Sequence, residues 1–268
     1  MSSIPPILLV GCGRMGSAML SGWRERDLAS SIAVDPAPGA VSLAGPDLTV
    51  VPSADAIPAD FRPAAVVLAV KPQSAAEALP PHARFAGGTV FLSIMAGRTI
   101  AGMRPLLGDT AAIVRAMPNT PAAVRQGVTV ACPGAGVTDA QRALCQTLLE
   151  AIGAAAWVND EGLLDPVTAV SGSGPAYVFL LAELMEQAAI EQGIPADLAR
   201  LLARQTVAGS GALLAASPED AAALRKAVTS PAGTTERALQ VLMAPEAWPS
   251  ALSRAIAAAT ARSRELAG

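Results

Sequence analysis

The stretch "ILLVGCGRMGSAML", residues 7–20, constrains the fold more than any other part of this sequence. Its four leading apolar residues predict a short buried strand, and Gly11, Gly13 and Gly16 form a G-x-G-x-x-G pattern that leads into an apolar helix. In such a turn, the glycines allow a tight bend, a close approach of the backbone to a pyrophosphate, and packing of the helix on the strand. The stretch therefore predicts a dinucleotide-binding β-α unit.

Further β-type apolar runs alternate with helix-compatible segments in the first half of the chain. These runs are residues 31–35, 64–70, 89–94, 111–117 and 128–132. Runs that are apolar on both faces indicate a buried parallel sheet covered by helices on its two sides. After residue 160 nearly everything is helix-compatible. We therefore predict an α/β fold, with a doubly wound Rossmann-type domain at 1–160 and an all-α domain at 161–268.

Composition and charge argue against several classes of protein. The 268 residues carry a formal net charge of −3 without a basic stripe, so nucleic acid is not an expected partner. Three irregularly spaced cysteines and one histidine, His82, predict no metal site. No apolar run reaches the roughly 18 uncharged residues of a membrane span, and no signal peptide is recognisable, so a cytoplasmic protein is expected. We expect His82, in a proline-rich connection, to be a surface residue without a catalytic role.

Polar residues at the ends of predicted strands point to the cofactor. Asp35 ends the second strand, where an acidic residue bonds the adenosine ribose hydroxyls and repels a 2′-phosphate. On that reasoning alone NADH is favoured over NADPH. Lys71, in "AVKPQ", follows a later strand and lies on the same predicted rim, which makes it a candidate cofactor contact.

The sequence lacks the proton donors that an alcohol dehydrogenase needs. Tyr177 is the single tyrosine, and Leu181 stands where a Tyr-x-x-x-Lys pair requires lysine. Val178 stands where a 3-hydroxyacid dehydrogenase is expected to carry a lysine. A protonated cyclic imine accepts hydride at carbon without such a group, so catalysis on it rests on positioning and electrostatics.

Two segments, residues 170–179 and 228–239, interrupt the helical half. In "VSGSGPAYVF" and "VTSPAGTTERAL", serine and glycine surround a proline near a predicted helix start. Free N–H groups there, together with hydroxyl groups, form a carboxylate site that needs no basic residue. Ordinary helix capping is the alternative interpretation. The repetition of the pattern favours a binding function.

Taken together, the motifs "GCGRMG", "AVKPQ", "VRAMPNTPAAV", "DPVTAVSGSGPAYVF" and "LRKAVTSPAGTTERAL" resemble the pyrroline-5-carboxylate reductase family over nearly the whole chain. The resemblance implies NADPH- or NADH-dependent reduction of 1-pyrroline-5-carboxylate to L-proline. It also implies a helical domain that dimerises by interleaving helices, often in larger rings such as a decamer, with each active site between a cofactor domain and helices of the dimer.

The resemblance also assigns roles to particular residues. Together with Asp35, the expected cofactor-binding residues are Gly11, Cys12, Gly13, Arg14, Met15, Gly16, Val70, Lys71, Pro72, Met95, Ala96 and Gly97. The expected substrate-binding residues are Ser230, Gly233, Thr234 and Thr235, with backbone amides and Ser230 on the carboxylate. Thr235 is the expected catalytic residue, because it would hydrogen-bond the ring nitrogen.

Three positions depart from the family pattern. Ala232 replaces a glycine of the usual S-P-G-G-T-T loop, and its methyl group would strain the backbone if φ there is positive. Ala227 stands where some members carry asparagine near the nicotinamide, and Asp35 is unusual in a family that commonly uses NADPH. The choice of nucleotide therefore stays open. So do two other functions: reduction of a related cyclic imine or ketimine, and a non-catalytic dinucleotide-binding sensor.

Overall fold

The computed structural model describes residues 3–267 and divides them into two compact units. The first unit runs to Gly172 and also contains the chain from Ala259 onward. The second unit comprises Ser173–Ala258. Each unit is described by itself.

The first unit is built on one eight-stranded sheet of order β3-β2-β1-β4-β5-β6-β7-β8. Its strands are β1 Ile7–Val10, β2 Ser31–Val34, β3 Leu48–Val51, β4 Ala65–Leu68, β5 Val90–Ser93, β6 Ala112–Met117, β7 Gly127–Pro133 and β8 Gly153–Trp157. All neighbouring strands run parallel except β6 and β7. In β1, β2, β4 and β5 every residue is buried, as helices on both faces of a parallel sheet require. This confirms the predicted α/β fold.

The described residues contain ten α-helices. They are α1 Arg14–Arg24, α2 Ala75–Ala78, α3 Ile100–Leu107, α4 Asp139–Glu150, α5 Leu164–Val167, α6 Gly174–Glu191, α7 Ala196–Ala216, α8 Ala221–Ala227, α9 Thr234–Leu242 and α10 Trp248–Ala267. Helices α6 to α9 and most of α10 belong to the second unit.

Two apolar clusters hold the sheet between its helices. On one face, α1 contributes Met19 and Trp23, and the Trp23 indole N–H donates to the Leu148 carbonyl on α4 at 2.9 Å. That bond satisfies the polar end of a fully buried tryptophan. On the other face, residues such as Phe91 and Met103 pack between the sheet and α3. The rigid layer so formed fixes the carboxyl ends of the strands, where the site lies.

The structure contains two strands that the sequence patterns did not single out, β3 and β8. It also shows β7 antiparallel to β6, where the patterns predicted a parallel sheet. The connection from β6 to β7, residues 118–126, holds only a short 3-10 turn. A parallel crossover needs about a dozen residues or more, so this connection returns the chain antiparallel. The expectation for His82 is also wrong: the side chain is 1% exposed, because the 3-10 segment Pro80–Phe85 folds inward against the sheet.

The second unit exposes a large apolar surface. None of the residues of α6 is buried, and its large exposed apolar side chains are Val178, Phe179, Leu180, Leu184 and Ile190. The helical segment 161–191 is long and apolar enough to cross a membrane by length and composition alone. One such helix is weak evidence for a membrane span, and an exposed apolar face is also typical of a protein–protein contact surface.

Candidate active site

The three glycine positions that follow β1 differ in whether the chain itself leaves room for a side chain. Gly11 adopts φ 95°, and a Cβ there would lie 2.8 Å from the Ala69 carbonyl oxygen. A Cβ on Gly16 would collide with the Gly11 carbonyl oxygen. By contrast, a Cβ on Gly13 would meet no atom within 4 Å. The chain's own packing therefore requires the first and third glycines, while the second one faces open space.

The open space at Gly13 lies in front of the N-terminus of α1. Gly13 is the N-cap residue, and no side chain in the described part of the chain caps this end. The first N–H groups of the helix are therefore free to donate to an anion, and the helix dipole favours negative charge at this end. This is the arrangement that binds a dinucleotide pyrophosphate.

Beside this turn lies a cleft of about 590 Å³. Its lining includes five of the predicted cofactor residues, namely Gly11, Gly13, Asp35, Val70 and Lys71. The cleft lining does not include the other predicted residues: Cys12, Arg14, Met15, Gly16, Pro72, Met95, Ala96 and Gly97. A larger groove of about 640 Å³ between α6 and α7 has neither the glycine turn nor a free helix start. The cleft in the first unit is therefore the candidate nucleotide site.

Asp35 is held in a fixed orientation at one end of the cleft. Its Oδ2 accepts a hydrogen bond from the Cys12 N–H at 2.6 Å, and its Oδ1 accepts one from the Ala37 N–H at 2.9 Å. Burial and then the negative charge of Asp35 raise the pKa of the Cys12 thiol to about 11. The thiol therefore stays protonated and unreactive at neutral pH.

The Met95–Gly97 segment at the end of β5 is shaped by packing within the first unit. Met95 is 2% exposed, and its side chain belongs to the core. Gly97 adopts φ 69°, and a Cβ there would lie 2.9 Å from the Leu266 carbonyl oxygen on α10. Both features explain the residue types without a ligand, so any cofactor contact here would come mainly from backbone groups.

Sequence patterns missed the far wall of the cleft. This wall comes from the loop after β3 and from the segment around α2, and its residues are Pro52, Ser53, Ala54, Ser74, Glu77, Ala78, Pro81 and His82. Burial, and secondarily the charge of Arg84, lowers the pKa of His82 to about 4, so the ring is neutral at pH 7. The ring Nδ1 has no hydrogen-bond partner among the described residues. The run of small residues and prolines gave no signal that this wall would form.

In the second unit, "TSPAGTT" forms a compact turn before α9. The Gly233 N–H donates to the Ser230 carbonyl at 3.1 Å, and a Cβ on Gly233 would collide with the Ser230 hydroxyl. Gly233 is the N-cap residue of α9, and no side-chain cap bond is present there. The turn therefore brings the Ser230 hydroxyl next to free N–H groups at the start of a helix, with Thr234 exposed and Thr235 half-buried.

Ala232 has the positive φ at which its methyl group was expected to strain the backbone. Its φ is 59°, in the left-handed region that alanine adopts at a cost of about 1–2 kcal/mol. The Ala232 N–H donates to the Glu236 Oε2 at 2.7 Å. Glu236 thereby ties the strained residue to the first turn of α9.

The other interruption, residues 170–179, takes a different form. The chain continues from α5 into a π-helical turn, Thr168–Gly172, before α6 begins. The Ser171 hydroxyl donates to the Val167 carbonyl at 3.0 Å, and the Ser171 carbonyl accepts from the Asn119 side chain at 3.1 Å. These groups serve the fold rather than a free anion site. Asn119 lies in the motif "VRAMPNTPAAV", and the sequence alone did not indicate this hydrogen bond.

The glycine turn, the free helix start and the fixed carboxylate of Asp35 are typical of a domain that binds a nicotinamide dinucleotide. The protein named pyrroline-5-carboxylate reductase from Pseudomonas aeruginosa is 38% identical over 272 aligned residues, covering 99% of this chain and 98% of that protein. The chain belongs to the pyrroline-5-carboxylate reductase family, and it is an NAD(P)H-dependent oxidoreductase.

Other comparisons agree. A family model described as "Pyrroline-5-carboxylate reductase dimerisation" matches residues 161–266, and one described as "NADP oxidoreductase coenzyme F420-dependent" matches residues 6–97. The structure of a pyrroline-5-carboxylate reductase from Coxiella burnetii aligns with a TM-score of 0.91 at 30% identity over 100% of both chains. The Plasmodium falciparum enzyme, solved with NADP bound, aligns with a TM-score of 0.81 at 25% identity over 98% of this chain and 99% of that chain.

Proposed function

We propose that this protein reduces 1-pyrroline-5-carboxylate to L-proline with a reduced nicotinamide dinucleotide, acting on the C=N bond. The observation that carries the proposal is the turn at residues 229–235, which presents hydroxyl groups and free N–H groups at the start of α9. This arrangement suits a small carboxylate substrate, and family membership supports it.

On the substrate side, the start of α9 binds the carboxylate. The N–H groups of Thr234 and Thr235 open the helix, and the Ser230 hydroxyl adds a further donor. These neutral donors, with the helix dipole, stabilise the anion without a cationic side chain. Gly233 keeps the serine and the helix start close together, since a side chain there would collide with Ser230.

Thr235 acts at the reacting end by hydrogen-bonding the ring nitrogen. The protonated imine already carries the positive charge that makes its carbon electrophilic, so the chain need only orient it. The bound reduced nicotinamide supplies the hydride. No general acid is required in this scheme, which agrees with the absence of a titratable side chain within residues 228–235.

On the nucleotide side, we propose three sets of contacts. Gly11 to Gly16 and the start of α1 bind the pyrophosphate, while Asp35 binds the adenosine ribose. The segments Val70–Pro72 and Met95–Gly97 bind the remainder of the cofactor. The proposed functional division is nucleotide binding by residues 1–160, and dimerisation with substrate binding by residues 161–268.

The protein is a homo-oligomer, as the matched dimerisation model indicates. We propose a dimer as the basic unit, with a decamer as the larger assembly. The apolar side chains of α6 then become buried between protomers instead of in a membrane, and the protein works in the cytoplasm. Small molecules, and not nucleic acid, are its ligands.

The reaction is tested by mixing the purified protein with 1-pyrroline-5-carboxylate and each reduced nucleotide, and following the nicotinamide absorbance. Oxidation of the nucleotide with formation of L-proline supports the proposal. A second candidate, reduction of a related cyclic imine, is favoured by the extra methyl group of Ala232 in the substrate turn. Faster turnover of a 1-piperideine carboxylate would select that candidate, and nucleotide binding without turnover of any cyclic imine would indicate a sensor.

A further inference from the structure

The ribose end of the nucleotide cleft is built around a fixed carboxylate. Two backbone N–H groups, of Cys12 and Ala37, hold Asp35 from opposite oxygens at 2.6 and 2.9 Å. Each carboxylate oxygen has two lone-pair directions, so one acceptor position on each oxygen stays available. Two acceptors on one rigid group match the adjacent 2′- and 3′-hydroxyls of an adenosine ribose.

The segment that follows Asp35 offers nothing to a 2′-phosphate. It reads Pro36, Ala37, Pro38, Gly39 and Ala40, without a cation, a hydroxyl or an amide side chain. The Ala37 N–H is already bonded to Asp35, and prolines have no N–H to donate. A phosphate on the 2′-oxygen would therefore lie against a carboxylate, and residues 36–40 would provide no side-chain donor to compensate for the repulsion.

The lining of the cleft contains one cationic side chain, Lys71, and it follows a different strand from Asp35. The charged lining residues are Asp35, Glu77 and Lys71, and the neutral His82 adds no charge at pH 7. Lys71 follows β4, while Asp35 follows β2, and β1 lies between these two strands. A strand spacing of about 4.8 Å separates the two strand ends by roughly 10 Å, so Lys71 lies nearer the pyrophosphate than the 2′-position.

We propose that this protein selects NADH over NADPH, and that Asp35 is the residue that determines the selection. The proposal concerns nucleotide binding and deepens the proposed function, on which its catalytic consequence rests. It runs against the NADP named in the matched nucleotide-domain model and in the Plasmodium falciparum structure.

Binding of nucleotide to the full-length protein tests the proposal without any substitution. Isothermal titration of NAD⁺ and NADP⁺ should give a dissociation constant at least about tenfold lower for NAD⁺, since two charge-assisted hydrogen bonds are replaced by repulsion. Raising the salt concentration should narrow the ratio, because salt screens the repulsion of the 2′-phosphate. Equal affinities, or tighter binding of NADP⁺, would overturn the proposal.

Variants assign the selectivity to Asp35. Asp35→Ser should weaken NAD⁺ binding by about tenfold or more and tighten NADP⁺ binding, so that the ratio falls or inverts. Asp35→Asn, which keeps the shape of the side chain, should change the ratio in the same direction. Asp139→Asn, which removes an exposed carboxylate outside the cleft, is the matched control and should leave the ratio unchanged. An unchanged ratio in folded Asp35 variants would refute the assignment.

This test separates the nucleotide preference from the reaction. Preferential NAD⁺ binding without reduction of any cyclic imine would support the preference while refuting the proposed function. Reduction of 1-pyrroline-5-carboxylate with NADPH favoured in both binding and kcat/KM would support the proposed function and refute the preference for NADH. Circular dichroism and thermal unfolding of each variant establish that the protein compared is folded.

Discussion

Replacing Ala232 by glycine should stabilise the protein, although the same change is destabilising at most positions. Ala232 has φ 59°, and an L-residue pays about 1–2 kcal/mol there. Glycine lowers the free energy of unfolding by about 0.5–1 kcal/mol, because it has greater conformational freedom in the unfolded chain. The expected net gain in the free energy of unfolding is therefore about 0.75 kcal/mol, the difference between the two mid-range values, since the backbone N–H of residue 232 still donates to Glu236 after the change.

Ala238→Gly is the matched control, because Ala238 is an exposed residue inside α9, the helix that follows the turn. There the substitution should cost about 0.5–1 kcal/mol. Thermal unfolding at one fixed protomer concentration, which holds the contribution of assembly constant, should raise the midpoint of Ala232→Gly by about 1–4 °C and lower that of Ala238→Gly. If Ala232→Gly lowers the midpoint as much as the control does, the strain inferred at this residue is absent.

Three further outcomes are expected. Gly13→Ala should weaken nucleotide binding in titration calorimetry by about tenfold or more with little change in thermal stability. Gly16→Ala should instead lower the unfolding midpoint, because a Cβ on residue 16 collides with the chain itself and a Cβ on residue 13 does not. Equal effects of the two variants on stability would contradict this. Thr235→Ala should reduce kcat by about 10- to 100-fold and leave nucleotide affinity unchanged, with partial recovery in Thr235→Ser, whereas wild-type kinetics would remove Thr235 from the mechanism. Burial lowers the pKa of His82 from 6.5 to about 4, so the unfolded state binds a proton that the folded state does not as the pH falls through that range. The free energy of unfolding should therefore decrease from pH 6.5 to pH 4 by up to about 3 kcal/mol. In urea unfolding, His82→Phe should show a flatter dependence of stability on pH, and a dependence identical to that of the wild type would refute this.

The first β-α unit could be predicted in detail because its signals are local. Four apolar residues followed by Gly11, Gly13 and Gly16 allow few conformations, and the structure has β1 at Ile7–Val10 with α1 directly after it. The turn before α9 was predictable for the same reason, since Pro231 and Gly233 fix a helix start locally. The positive φ of Ala232 could not be predicted, because an alanine in the sequence does not indicate a left-handed backbone conformation.

Features that depend on distant parts of the chain escaped prediction. His82 is buried because the segments around it fold onto the sheet, and neither its neighbours in sequence nor its type signals that. Strand β3, Leu48–Val51, contains an exposed threonine, Thr49, and is therefore not a continuous apolar run; it forms by pairing with β2. The reversal of β7 follows from the length of one connection, which becomes meaningful only once both flanking strands are assigned.

The central claim is that this protein reduces a cyclic imine carboxylate with a reduced nicotinamide dinucleotide. The most direct measurement is kcat/KM for 1-pyrroline-5-carboxylate with NADH and with NADPH, together with identification of the product. We expect L-proline to form in a one-to-one ratio with the nucleotide oxidised, and NADH to be the better donor. Folded protein that binds nucleotide but forms no proline with either donor would contradict the claim.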